Sequence, residues 1–208
     1  MLEFCMTHNI RLIIDAAHPF ASLLHATVAS VSEQLDIPVI RLERRYPPRD
    51  ESLVWCDTFD DAIDYLESHE INHLLALSGV QTINKLRRYW EKHPCHFRVL
   101  DREDSRSLAR QAGFPEKNLL FWHEEQDELA LFRQLHPGAI LTKESGESGY
   151  YEEKINAARQ LGIPVIVIRR PPLPDSFYTV NGKHGLRYRV ERLLPGFYPL
   201  RSGFTTGS

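Results

Sequence analysis

Apolar residues along this chain come in short continuous runs, separated by stretches with helical spacing. Residues 11–14 (RLII) read as a strand. From Phe20 to Leu35 the apolar positions Leu24, Val28, Val31 and Leu35 recur at the interval of a helix's inner face. IPVIRLE (37–43) follows as a second strand, its β-branched residues and opening Pro38 fitting a buried parallel strand. The proline-rich RRYPPRDES (44–52) reads as a linker or domain edge. Thr58 can then cap a helix to about residue 69, with Ile63 and Leu66 inward.

The rhythm repeats. Strands are expected at 73–78, 96–100, 118–122, 139–142 and 163–168, with helices between them at 80–90, 104–113, 124–135 and 150–161. Gly113 and Gly162 stand where helices should stop. Strands alternating with helices specify a parallel α/β fold. From Arg170 the chain turns rich in Pro and Gly, and NGKHG (181–185) reads as a hairpin turn between FYTV and LRYRV. The last eight residues, RSGFTTGS, are expected to fray.

Composition narrows this little. The 208 residues are 42% hydrophobic and 25% charged, ordinary for a globular protein. A net charge of -3 argues against a nucleic-acid partner. No run approaches the length of a membrane span, and the first residues lack a signal peptide's basic start and apolar stretch. Cys5, Cys56 and Cys95 are too few and too scattered for a disulfide framework or a zinc knuckle, so a cytoplasmic, reducing setting is expected.

In open α/β sheets ligands collect at the carboxyl ends of strands, which leaves three loops to consider. DAAHPF (15–20) places Asp15 where a strand ends and His18 before Pro19, a residue suited to opening a helix. Asp15 could equally cap that helix or accept loop amides, with His18 merely on the surface. SGVQ (78–81) offers Ser78 and Gly79 at a strand–helix junction, where backbone can approach a ligand closely. TKESGESG (142–149) is the strongest anion-site signal: Thr142, Ser145 and Gly146 supply hydroxyls and freed amides, and Lys143 a positive charge. Its lysine precedes the glycines, so it is not a Walker loop; a solvated flexible loop is the competing reading. Arg169 and Arg170 leave the last strand and could face a substrate with several carboxylates, or only solvent. HEINH (69–73) and HPCH (93–96) do not have metal-site spacing, and no metal is expected.

Two of these segments together carry a family likeness. IIDAAHPFA (13–21) resembles the D-A-T-H-P-F/Y-A segment of the precorrin-6A and cobalt-precorrin-6A reductases, with Ala17 in place of threonine. IRLER (40–44), LALSGVQ (75–81) and the run ILTKESGESG through RRPPLP (140–174) are similar to that family's later strands and loops. The resemblance implies two parallel-sheet Rossmann-like α/β domains with NADPH and a tetrapyrrole in the cleft between them. It implies reduction of one double bond of a precorrin-6A-type macrocycle in cobalamin biosynthesis. By the same matching Asp15 and His18 lie near the reaction, with His18 as proton donor or substrate positioner. Ser78, Gly79, Thr142, Lys143, Ser145 and Gly146 would hold cofactor, and Arg169 and Arg170 substrate carboxylates.

The family's opening strand and glycine-rich phosphate loop have no counterpart before residue 10, so the first domain is expected to be truncated. The implied division is a remnant of the first domain at 1–45, a second α/β domain at 46–175, and a tail or linker at 176–208. An exposed sheet edge would favour dimerisation. LRSGFTTGS (200–208) resembles the start of cobalt-precorrin-5B C1-methyltransferases, as in a fused polypeptide; an ordinary polar tail is the alternative. Besides the reductase, two readings remain open at this point. One is an inactive binding module. The other is an α/β enzyme holding a phosphorylated ligand at 142–149.

Overall fold

The computed structural model describes residues 1–124, 127–146 and 151–195. Its chain forms two compact units, Met1–Arg45 with the segment from Pro171, and Tyr46–Arg170. The chain opens with a short helix not anticipated above, α1 (Leu2–Thr7), whose one buried residue is Cys5. Strand β1 (Ile13–Asp15), helix α2 (Ser22–Leu35) and strand β2 (Val39–Glu43) follow, with β1 and β2 parallel. Cys5, Val31 and Ile37 form a small core with Leu2, Ile10, Ile13 and Leu35 around it. Val28 and Val31 face inward as expected, but Leu24 is 40% exposed and His25 takes the buried position beside them.

In the second unit, β3 (Val54–Cys56) leads into α3 (Phe59–Ser68). Thr58 and Asp61 close a capping box at its start, each side chain bonded to the other residue's backbone amide. Then come β4 (Leu74–Ala76), α4 (Arg87–Trp90), β5 (Cys95–Leu100), α5 (Glu103–Gln111), β6 (Leu119–Trp122), α6 (Glu128–Leu135), β7 (Ala139–Lys143), α7 (Tyr151–Gln160) and β8 (Val165–Ile168). All six strands are parallel, in the order β3-β8-β7-β4-β5-β6. The central strands are continuous apolar runs because helices or loops cover both faces. Leu74, Leu75, Ile140 and Ile166 are wholly buried, and each such side chain contributes about 1.5–3 kcal/mol of hydrophobic stabilisation.

Two elements differ from expectation here. The helix expected at 80–90 is mostly two 3₁₀ turns, Val80–Thr82 and Asn84–Leu86, and only α4 is α-helical. Thr82 Oγ1 donates to the Gly79 carbonyl at 2.7 Å and also meets Ser78 Oγ at 2.6 Å, and such local bonds compete with the α-helical ladder. Strand β3 was hidden at the edge of the polar linker.

After Arg170 the chain rejoins the first unit. Phe177–Asn181 is β9, which pairs in parallel with β2 from Val39↔Phe177 to Glu43↔Asn181. The expected hairpin is absent: NGKHG instead opens α8 (Gly182–Leu193). Half-buried Gly185, Leu186, Arg189, Val190 and Leu193 recur at helical spacing. Gly185 faces β9, where an added Cβ would come to van der Waals contact with Val180 Cβ at 3.4 Å. The described part of the segment read as a tail is thus an integral strand and helix. Residues 200–208, with their methyltransferase likeness, lie outside the described residues. Among the described residues no helix is long and apolar enough to cross a membrane.

Candidate active site

Strand register builds the first cluster. Asp15 and Arg41 are paired neighbours on β1 and β2, so their side chains emerge on one face of the sheet. Arg41 Nη1 donates to Asp15 Oδ1 at 3.2 Å and to the Ala17 carbonyl at 2.8 Å, while its Nε and Nη2 reach the Glu43 carboxylate. From α2, His25 places Nδ1 2.7 Å from Asp15 Oδ2 and Nε2 3.1 Å from the His18 carbonyl oxygen. The Ala17 amide donates to Asp15 as well, at 2.9 Å. Asp15 and His25 are each 4% exposed and Arg41 is fully buried.

Asp15 does not cap α2, but it does accept a loop amide, as the plainer reading allowed. It sits at the centre of a buried polar network that holds the 15–18 loop from beneath. His18 is the exposed member of the pair expected at this loop, and its Nδ1 accepts the Phe20 amide at 3.2 Å. In the neutral ring this leaves the N–H on Nε2. Pro19 and Phe20 form a turn, closed by the Ala21 amide on the His18 carbonyl, and α2 starts only at Ser22. Sequence reasoning missed His25 and Arg41; an arginine inside the apolar run IPVIRLE was the available signal.

In the second unit, the expected residues gather at the carboxyl ends of β4, β7 and β8. Ser78 is buried, its hydroxyl bonded to Thr82, and Thr142 is buried at 2% exposure. Gly79 has φ +86°, with open space where a Cβ would be. Burial, and then the positive charge of Lys85, push the Lys143 ammonium down to about 8. Gly146 is also left-handed, at φ +73°. Glu147, Ser148 and Gly149 of the same loop lie outside the described residues.

The strand end also carries a carboxylate that sequence reasoning passed over. Glu144 is held by Arg49 through Nε at 3.1 Å and Nη2 at 3.0 Å, and by Arg170 through its backbone amide at 3.0 Å and Nη1 at 2.6 Å. Burial alone would push the Glu144 carboxyl up; its bonds to Arg49 and Arg170 outweigh that and hold it below the usual range. Arg169 pairs instead with Asp57 at 2.8 Å. Both expected substrate arginines thus already have a carboxylate partner, and Arg49 joins them.

The histidine clusters lie elsewhere. His73 Nε2 and His96 Nδ1 are 2.9 Å apart at the opposite, amino-terminal ends of β4 and β5. Among the described residues no group of three or more metal-ligating side chains could hold a metal ion.

Two parallel Rossmann-like units, each with ionisable side chains where its strands end, define the class: a tandem Rossmann-like α/β protein. Residues 1–185 match the family model described as "Precorrin-6x reductase CbiJ/CobK", and the chain belongs to that family of reductases. It is 32% identical over 193 residues to the precorrin-6A reductase of Rhodococcus erythropolis, covering 89% of this chain and 73% of that protein. It is also 32% identical over 165 residues to the cobalt-precorrin-6A reductase of Methanothermobacter thermautotrophicus, 77% of this chain and 54% of that one. This chain thus spans about half to three quarters of the length of these relatives. A solved structure of a CobK precorrin-6A reductase superposes with a TM-score of 0.73 over 92% of this chain and 77% of the other, at 20% identity.

Proposed function

We propose that this chain serves in the NADPH-dependent reduction of one ring double bond of a precorrin-6A-type macrocycle in cobalamin biosynthesis. The observation that carries the reading is the family match across residues 1–185. The donor set suits the cofactor in part. Gly79 leaves its backbone open to a close approach, and Lys143, with Lys85 nearby, suits an anionic group such as a phosphate. Ser78 and Thr142 are packed inside and support this wall rather than form its surface. Thr142, Ser145 and Gly146 remain the residues flanking Lys143 on that loop.

The nicotinamide would supply the hydride. The protein's own tasks are to place the macrocycle, exclude water and manage a proton, since a reduced double bond takes hydride at one carbon and a proton at the other. His18 suits the proton role. It is exposed, and with Nδ1 accepting the Phe20 amide its neutral ring carries the proton on Nε2. Asp15 acts one step back, in the network beneath that loop. Arg169 and Arg170 suit the carboxylates of a corrin precursor.

Titrating the protein with NADPH, then adding precorrin-6A and following absorbance at the nicotinamide band, tests this reading. Saturable NADPH binding followed by oxidation on adding the macrocycle is the expected result. Absence of NADPH binding overturns it.

A further inference from the structure

The Glu144 cluster does more than tie a loop to a strand end. Its carboxylate side chain is 6% exposed, yet the two guanidinium side chains that it holds are 48% exposed at Arg49 and 33% at Arg170. Each guanidinium also lies on an aromatic ring. Arg170 Cζ sits 3.6 Å from the centroid of Tyr46, and Arg49 Cζ 5.4 Å from that of Trp55. Two usually mobile side chains are therefore held by a shared ion below and a ring alongside, which removes most of the rotamer entropy that binding would otherwise cost.

The clamp uses Nε and Nη2 of Arg49 and Nη1 of Arg170. Nη1 of Arg49, and Nε and Nη2 of Arg170, are not among these donors. One carboxylate against two guanidiniums leaves a net positive charge, at the carboxyl ends of β7 and β8 where ligands of parallel sheets collect.

We infer that Arg49 and Arg170, aligned by the shared buried carboxylate of Glu144, form a rigid two-armed receptor for carboxylate groups of the substrate. Arg49 becomes a binding residue and Glu144 a positioning residue. The inference rests on the proposed function for the source of those carboxylates, a tetrapyrrole bearing acidic side chains. Planar forks suit carboxylates in a way a lysine point charge does not.

The test uses uroporphyrin, a tetrapyrrole polycarboxylate, and its methyl ester, with binding read from the shift of the porphyrin absorption band. The unsubstituted protein should bind the acid and not the ester. Arg49→Gln should weaken acid binding by roughly tenfold or more, the loss of one charged hydrogen-bonding arm, while NADPH binding stays within twofold. Arg49→Lys should fail to restore it, and Glu144→Gln should weaken it too, because both arms lose their anchor. Arg170→Gln provides the same arm of the test should Arg49→Gln fold poorly. No binding of the acid, equal binding of acid and ester, or unchanged affinity in folded Arg49→Gln and Arg170→Gln overturns the inference. Because this readout needs no turnover, arginine-dependent binding without reduction would sink the proposed reaction and leave the receptor standing.

Discussion

Replacing Asp15 with alanine removes the one anion that both Arg41 and His25 reach in the first unit. Arg41 would keep Glu43 at 3.3 Å and the Ala17 carbonyl, but His25 Nδ1 would lose its only identified partner while 4% exposed. Removing one member of a buried ion pair costs about 3–5 kcal/mol, because the remaining charge or donor stays desolvated. Amide hydrogen exchange across α2 and the 15–21 loop reads this directly, and should speed up by roughly 100- to 4,000-fold where exchange follows opening of this unit. The three tryptophans, Trp55, Trp90 and Trp122, all lie in the Tyr46–Arg170 unit, so their fluorescence is an internal control. Urea unfolding read by tryptophan should therefore move little. Exchange rates within threefold of the unsubstituted protein across residues 15–35 would refute the network's role.

In the second unit, Arg98 meets Glu128 through two bonds of 2.6 and 2.7 Å with both side chains largely buried. Glu128→Ala should cost about 3–5 kcal/mol, read as a lowered tryptophan-monitored urea midpoint, and a midpoint unchanged from the parent would contradict it. The His73–His96 pair sets a pH dependence. Burial, and for His96 also the charge of His73, lower both imidazoles, so the folded state binds protons less readily than the unfolded chain. Stability should then be full at neutral pH and fall as pH drops through about 6.5, the value of an unfolded histidine, levelling below the folded values. Melting temperatures between pH 5 and 8 should show a shallower acid slope in His96→Gln than in the parent, and identical slopes would rule this out.

The alternation of strand and helix was legible because strands such as 139–142 and 163–168 are continuous apolar runs between stop signals. Strand β3 escaped because three residues beside a polar linker give no period. FYTV was legible as a strand and is β9, but it pairs with β2 instead of a following hairpin strand. Helix α8 escaped because the glycines of NGKHG carry the signature of a hairpin turn, although the spacing of Leu186, Val190 and Leu193 was already helical. The site was legible only in its local parts. Asp15, His18 and Lys143 stand at strand ends that pattern alone locates. His25 hides beside Leu24, which the pattern favours for burial and the structure exposes. Arg49 and Glu144 lie 95 positions apart, and nothing local to either announces a bond that depends on where loops meet after folding.

Hydride transfer from NADPH onto a macrocycle is the step we propose for this chain. Incubating the protein with precorrin-6A and NADPH deuterated at the transferring position of the nicotinamide, then weighing the product by mass spectrometry, tests it most directly. A reduced macrocycle carrying one deuterium from the cofactor is the expected result. A macrocycle that stays unreduced, or is reduced without deuterium, would contradict it.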